Sequence, residues 1–408
     1  MKKSGIGCHQ VLSVPRFVVI LILSACSLGL HAQELAERQV ASDHRLSSDN
    51  TGVLAVDADA LAFFKNNEFD GEQAVGYTLP GFWLQPRLSY QPLDNVRLEA
   101  GFHAAVFDGA NKYPCFAYHD IARWKGDQYQ SGAHVLPFLR AQAQLGSVSF
   151  VLGNIYGGAN HKLVEPLMNA EVNLTQDPEA GFQMLVDRPR YKLDAWINWQ
   201  SFIFRGDTHQ EAFTVGFSQR IALNAPQSPL AFYIPIDILF QHRGGEIDST
   251  DTGVQTLDNA ALGLGLRWNK GGKFFNGLTA EALLLYSWQQ VGHLWPFDKG
   301  LGGGLTLSGD FLSEVRVFAT TVWAHNFCPF YGSPFFSTFS TETGTDLSTV
   351  FTSHIGAEWG HTFAPGYVLG AKLDTYLCVP SHGSLTNNFC FGIFLRCSPH
   401  FLIKRFAP

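Results

Sequence analysis

The sequence predicts an all-β chain, a transmembrane antiparallel β-barrel of about 16 strands with 14 to 18 as the bounds, in which short turns alternate with long loops. Three observations predict it. From Phe82 onward apolar and polar residues alternate in segments of about ten, each broken at Gly, Pro, Asn, Asp or Ser. Only 15% of the 408 residues are charged, against roughly 25% in an ordinary soluble domain. Aromatic residues stand near segment ends, as Tyr191 and Trp199, Tyr286 and Trp288, Trp323, Trp359 and Tyr367 do, where amphipathic rings meet a membrane interface. A soluble sandwich also alternates, but segments this long match the roughly nine to eleven residues that cross a bilayer at a tilt.

The first element is a targeting signal. Lys2, Lys3 and Arg16 precede the apolar run from Phe17 to Ala25, and no acidic residue appears before Glu34. The run is too short for a spanning helix, which needs about 20 apolar residues. Residues 1–32 therefore read as a cleaved signal peptide cut after Ala32, with lipoprotein processing at Leu23-Ser24-Ala25-Cys26 as the alternative. Its removal takes three basic and no acidic residues, leaving 25 basic against 35 acidic, which excludes a basic nucleic-acid footprint. Cys8 and Cys26 go with the signal; Cys115, Cys328, Cys378, Cys390 and Cys397 follow, an odd number. Cys378 and Cys390 flank a turn, and Cys115 and Cys328 adjoin prolines in aromatic loops; each pair is either a disulfide or a pair of small fillers.

Residues 33–76 show little strand rhythm and read as a periplasmic or lumen-inserted segment, with Asp57 to Phe64 as a short helix; residues 77–408 form the barrel. Its first segments are 82–90 and the stretch in which Val96, Leu98, Ala100, Phe102, Ala104 and Val106 oppose Arg97, Glu99, Gly101 and His103. Leu139, Ala141, Ala143 and Leu145 then oppose Arg140, Gln142 and Gln144. Leu193, Ala195, Ile197 and Trp199 oppose Lys192, Asp194 and Asn198, with Trp196 an exception on the polar face. Leu278, Ala280, Ala282, Leu284 and Tyr286 oppose Thr279, Glu281 and Ser287, and Leu369, Ala371, Leu373 and Leu377 oppose Gly370, Lys372 and Asp374. Further segments lie near 147–153, 180–187, 212–221, 230–241, 258–268, 300–308, 313–323, 351–359 and 388–396. Gly302, Gly303 and Gly304 sit within one of them and read as a place where the wall bends. One oily face and one wet face, with no free edge tolerated in hydrocarbon, call for closure into a ring.

Signal peptide, amphipathic strands and alternating short and long connections together resemble Gram-negative outer-membrane β-barrels of the porin type, over roughly residues 77 to 397. The Ala32-Gln33 junction resembles those of Bacteroidetes exported proteins. The resemblance implies outer-membrane localisation, periplasmic short turns and extracellular long loops. The partners it implies are outer-membrane lipid, the barrel assembly machinery and hydrophilic solutes, with a homo-oligomer by porin analogy. Such barrels usually end on Phe, whereas this chain ends Arg405-Phe406-Ala407-Pro408. Either Phe406 serves, or the last strand is Phe389 to Arg396 with a tail.

The residues placed on the lumen face, as pore-lining, are Arg97, Glu99, Arg140, Lys192, Asp194, Arg220, Asp237, Arg267, Glu281, Glu314, Arg316, Glu358, Lys372 and Asp374, with Arg396 beside them. Arg97 with Glu99, Lys192 with Asp194, Glu314 with Arg316 and Lys372 with Asp374 stand two apart, roughly 7 Å, within reach for pairing along a strand. They form either a hydrated wall of ion pairs or a field that orients solutes. Residues 154–179, carrying Asn160, His161, Glu165 and Glu171, are a candidate constriction loop, an exposed loop, or a divalent-ion site without fixed ligand spacing. Asp207, His209 and Glu211 are a hydrated turn or a metal or acid/base cluster. The aromatic runs at 111–131 and 325–349 either guide saccharides or pack loops together. No nucleophile-elbow, zinc-protease or phosphate-loop motif occurs, so no catalytic, metal or cofactor residues are assigned. The expectation is a non-enzymatic channel for passive diffusion of small hydrophilic solutes, saccharides among them. An outer-membrane enzyme acting on lipid or glycan, and a sealed structural or binding barrel, are the alternatives.

Overall fold

The computed structural model describes residues 35–40, 44–109 and 132–406, apart from 208, 226, 246, 252 and 313. The signal peptide, its cleavage alternatives, Cys115 and the 111–131 aromatic run lie outside the described residues.

Sixteen antiparallel strands close into one barrel. They are β1 (Val53–Asp70), β2 (Val75–Leu93), β3 (Val96–Phe107), β4 (Gly132–Leu145), β5 (Val148–Asn154), β6 (Ala180–Arg188), β7 (Tyr191–Ser201), β8 (Ala212–Ala222), β9 (Leu230–Arg243), β10 (Gln255–Asn269), β11 (Phe275–Val291), β12 (Lys299–Phe311), β13 (Val315–His325), β14 (Thr349–Ala364), β15 (Tyr367–Pro380) and β16 (Thr386–Cys397). A further stretch, β17 (His400–Arg405), continues β16 past a break at Ser398-Pro399, and both pair with β1 on the edge opposite β2. Every alternating segment read from the sequence is one of these strands.

The sixteenth strand is β1, which corrects two expectations. Residues 53–70 are neither a short helix nor an insert; their 18 residues lie between β2 and β16 and close the ring. The last strand does not stop at Arg396 either: pairing runs on to Arg405, and Phe406 N donates to Gly52 O at 2.8 Å. Without β1 two strand edges would stand unpaired in hydrocarbon, at several kcal/mol for each unsatisfied group.

The wall has the two faces that alternation demands. Leu139, Leu152, Leu262, Leu264, Leu284, Leu301, Leu305, Ile355, Leu373, Phe391 and Ile393 are exposed large apolar residues on its outside. Inside, oppositely charged groups face each other across strands. Glu99 takes Arg140 at 3.0 Å and Arg87 at 2.8 Å; Arg87 also reaches Asp59 at 2.7 Å, and Arg396 reaches Asp59 at 2.8 Å. This chain ties β16, β1, β2, β3 and β4 around the closure.

The upper lumen is filled. Loop 155–179 folds inward with loop 326–348, and Val164, Leu167, Val172, Phe327, Phe330 and Phe336 join inward residues of the wall in one apolar core. A short helix, α1 (Leu35–Val40), also lies in the lumen. Its Leu35 N donates to Glu358 Oε2 at 3.0 Å, and Arg38 Nη1 donates to Gly360 O at 2.9 Å. Gly360 and Gly370 face each other across β14 and β15, and a Cβ at either would come within 2.9 Å of Leu35 Cδ1, so the pair forms the seat of that helix.

A barrel exported without residues 33–43 is expected to keep the faster gel mobility of unheated folded protein. Deleting residues 53–70 is expected to abolish it. Retention after the second deletion would refute closure by β1.

Candidate functional site

Most of the charged residues assigned to the lumen stand on inward strand positions, but most of their partners differ from those expected along each strand. Arg97 bonds Gln142 and Tyr156 and has Glu99 as a nearby charge. Lys192 pairs with Asp187, directly opposite on β6, and leaves Asp194 to His161. Arg316 pairs with Asp310 at 2.9 Å, directly opposite on β12. Lys372 does reach Asp374 at 3.3 Å, and also Glu358 at 3.5 Å. Arg220 meets Asp237 at 2.8 Å, while Arg267 Nε donates to Asn269 at 3.0 Å. Glu281 lies close to Arg220 and Tyr233. Glu314 is the exception to the inward placement: it sits in the β12–β13 turn and accepts from Trp359 and His361, whose alternation puts them on the outer face.

Loop 155–179 is fixed at several points. Asn160 Nδ2 donates to Gly157 O at 2.7 Å and to Val40 O at 3.2 Å. Glu165 bonds His354, whose other ring nitrogen meets Asp374 at 2.8 Å. Glu171 gathers Lys65, Tyr77 and, at 3.2 Å, Asn67. His161 is 2% exposed, with Nδ1 at 2.8 Å from Asp194 and Nε2 at 3.1 Å from Glu179. It stacks on Trp196 at 3.6 Å, and Gly216 has no Cβ where that indole passes. Trp196, the misfit on the polar face, is thus the shelf for His161. Burial alone would lower the imidazole, but Glu179 and then Asp194 overcome it and raise it to about 9.

Below this plug a cavity of about 760 Å³ remains, lined among others by Lys65, Tyr233, Arg267, Phe318, His354 and Lys372. Both nitrogens of His354 are held by carboxylates, so it is an ion bridge and not a free base. Asp207 accepts from Phe204 N and His209 bonds Phe202 O, both within their own turn. Among the described residues no group of three potential metal ligands occurs. Phe327, Phe330, Phe335 and Phe336 are at most 2% exposed and offer no ring face to a saccharide. Cys328, Cys378, Cys390 and Cys397 are free, so Cys378 and Cys390 form no disulfide.

A polar group on β1 and β2 faces outward. On β1, Leu61, Phe63, Lys65 and Asn67 point inward, so Phe64, Asn66 and Glu68 face out. Asn66 stands opposite Thr78 of β2 and next to Phe391 of β16. Thr78 Oγ1 donates to Asn66 Oδ1 at 2.6 Å, and Asn66 Nδ2 donates to Glu68 Oε1 at 2.7 Å. Phe389 and Phe391 are exposed beside this chain, and below it the exposed outer residues are Phe64, Phe82, Ile393 and Leu395. A hydroxyl, an amide and a carboxylate thus stand in line near the upper end of an apolar wall. The sequence reading missed them; the polar run Lys65-Asn66-Asn67-Glu68 ending an apolar stretch was the available signal.

A family profile described as Lipid A 3'-O-deacylase-type matches residues 46–406. The chain belongs to that family. This corrects the expectation of a non-enzyme, because the family carries the name of an enzymatic activity. Matching solved structures include Acinetobacter baumannii OccAB4, at 10% identity and TM-score 0.48, covering 86% of this chain and 100% of that one. Pseudomonas aeruginosa opdK gives the same identity, score and coverages. A loop-deleted OmpT of Vibrio cholerae matches at 11% and 0.48, covering 84% and 99%. No curated protein sequence matches this deacylase-type barrel.

His161→Leu strands two buried carboxylates and is expected to destabilise the folded barrel by about 3 kcal/mol or more. In the native protein a raised His161 contributes stability in full below about pH 6.5, and that contribution is lost as pH rises through about 9. Thermal unfolding in detergent from pH 6 to 10 checks both; a H161L variant with native stability and native pH slope would contradict them.

Proposed function

We propose that the chain is an outer-membrane esterase that removes an acyl chain from a lipid A-type glycolipid. The observation that carries this reading is the outward line Thr78, Asn66 and Glu68 near the upper end of an apolar wall. Acyl esters lie at that height in a leaflet, where hydrocarbon gives way to polar headgroup. A lumenal group such as His354 is screened from lipid by the wall. Membership of the deacylase-type family supports the same chemistry.

In this mechanism Glu68 is the general base. It takes a proton from water as the water oxygen bonds to the ester carbonyl carbon, and returns it to the sugar oxygen as the acyl C–O bond breaks. Asn66 holds the Glu68 carboxylate through one amide hydrogen and has a second to offer the developing oxyanion; Thr78 fixes the amide orientation. The second reading, passive diffusion of small hydrophilic solutes, rests on the barrel fold and the cavity below the plug.

Purified protein in vesicles containing lipid A is expected to yield product lighter by one acyl chain on mass spectrometry. Glu68→Gln should slow this by about a hundredfold or more and Thr78→Val by about tenfold. Unaltered lipid A, or full activity in E68Q, would overturn the reading. Single-channel conductance without lipid turnover would favour the second.

A further inference from the structure

On β10, Leu257 belongs to the plug core and Asn259 bonds the plug backbone, donating to Cys328 O at 3.0 Å and accepting from Phe330 N at 2.9 Å. Asp258 between them therefore faces the membrane side. Its cross-strand neighbours there are Phe240 on β9 and Trp288 on β11. Asp258 is only 8% exposed, and its Oδ1 is sealed from solvent without a hydrogen-bond partner. The basic groups on the same face are engaged elsewhere. His242 spends one nitrogen on Thr256 and the other on Gly244 O, and Lys299 lies over the Trp288 ring at 5.3 Å from its centre. Farther down the outer wall Leu262, Leu264 and Leu284 are exposed and apolar.

An unpartnered carboxylate on a lipid-facing wall is costly, and a barrel keeps one only where something neutralises it. Asp258 lies three residues from the long-loop end of its strand, at headgroup height, between two rings whose faces attract cations. We propose that Asp258, with Phe240 and Trp288, forms a docking site for the primary ammonium of a membrane lipid whose acyl chains lie on Leu262, Leu264 and Leu284. One positive charge matches the single carboxylate, and an ammonium N–H supplies the donor that Oδ1 lacks. A quaternary headgroup brings the charge without the donor. The site is on β9–β11, away from Asn66 and Glu68 on β1, so its fate is independent of the esterase reading.

The test is native mass spectrometry of the detergent-extracted barrel with equal amounts of phosphatidylethanolamine, phosphatidylcholine and phosphatidylglycerol of identical acyl chains. The wild type is expected to retain phosphatidylethanolamine about tenfold over the others, the change for one charge-assisted hydrogen bond. Asp258→Asn, checked for folded gel mobility, should bring the three to parity. Stepwise N-methylation of the ethanolamine lipid should lower retention on the wild type, a readout that needs no variant. Equal retention on the wild type, a preference that survives D258N, indifference to methylation, or magnesium held through Asp258 in place of lipid would each overturn the proposal.

Discussion

The structure depends on one constraint: a sheet edge in hydrocarbon has no water to satisfy its N–H and C=O groups. Strand β1 removes both edges at once by pairing with β2 on one side and with β16 and β17 on the other. The charges inside that seam follow from the closure. Asp59 on β1 faces Arg87 on β2 and Arg396 on β16, so the residue at the junction holds a cation from each flank. Those pairs are half-buried or buried inside the wall, where removing one partner leaves the other exposed to a poor solvent.

Closure also sorts chemistry into two compartments. Inward groups meet loops from above: Glu171 collects Lys65, Tyr77 and Asn67, Glu165 takes His354, and His161 sits between Asp194 and Glu179. Lys65, Asn67, Tyr77, His354 and Asp194 thus anchor loop 155–179 to separate parts of the wall, which is how a polar loop and the aromatic residues of 326–348 come to fill a lumen. Outward polar groups have no such company. Thr78, Asn66 and Glu68 satisfy one another, and Asp258 is left without a partner at Oδ1. In a membrane wall these are positions where a lipid meets something other than hydrocarbon.

Fifteen strands were legible because their outward residues are large and apolar and their inward ones polar. β1 was not, because the contrast fails along it. Outward Ala58, Ala60 and Ala62 are small, while inward Leu61 and Phe63 are apolar and buried in a core shared with Leu35 of the lumenal helix. Lys372 with Asp374 stands as expected; most of the other charged partners were misassigned for a geometric reason. Residues directly opposite on adjacent strands are about 5 Å apart, closer than the roughly 7 Å between i and i+2. Glu99 with Arg140, Asp187 with Lys192, Asp310 with Arg316 and Glu358 with Lys372 are all directly opposite, and register is what a single sequence does not show. The outward line at Asn66 was hidden for the same reason, since Thr78 meets it only through the β1–β2 pairing.

The most direct test of this account is where Thr78 lies relative to lipid. A fluorophore on Thr78→Cys, in a barrel whose own cysteines are replaced by alanine, is expected to be quenched by lipids brominated near the carbonyl end of the acyl chain. The same label on His354→Cys should be insensitive to them. Quenching of the lumenal label, or none at position 78, would contradict the two-faced arrangement on which the functional reading stands.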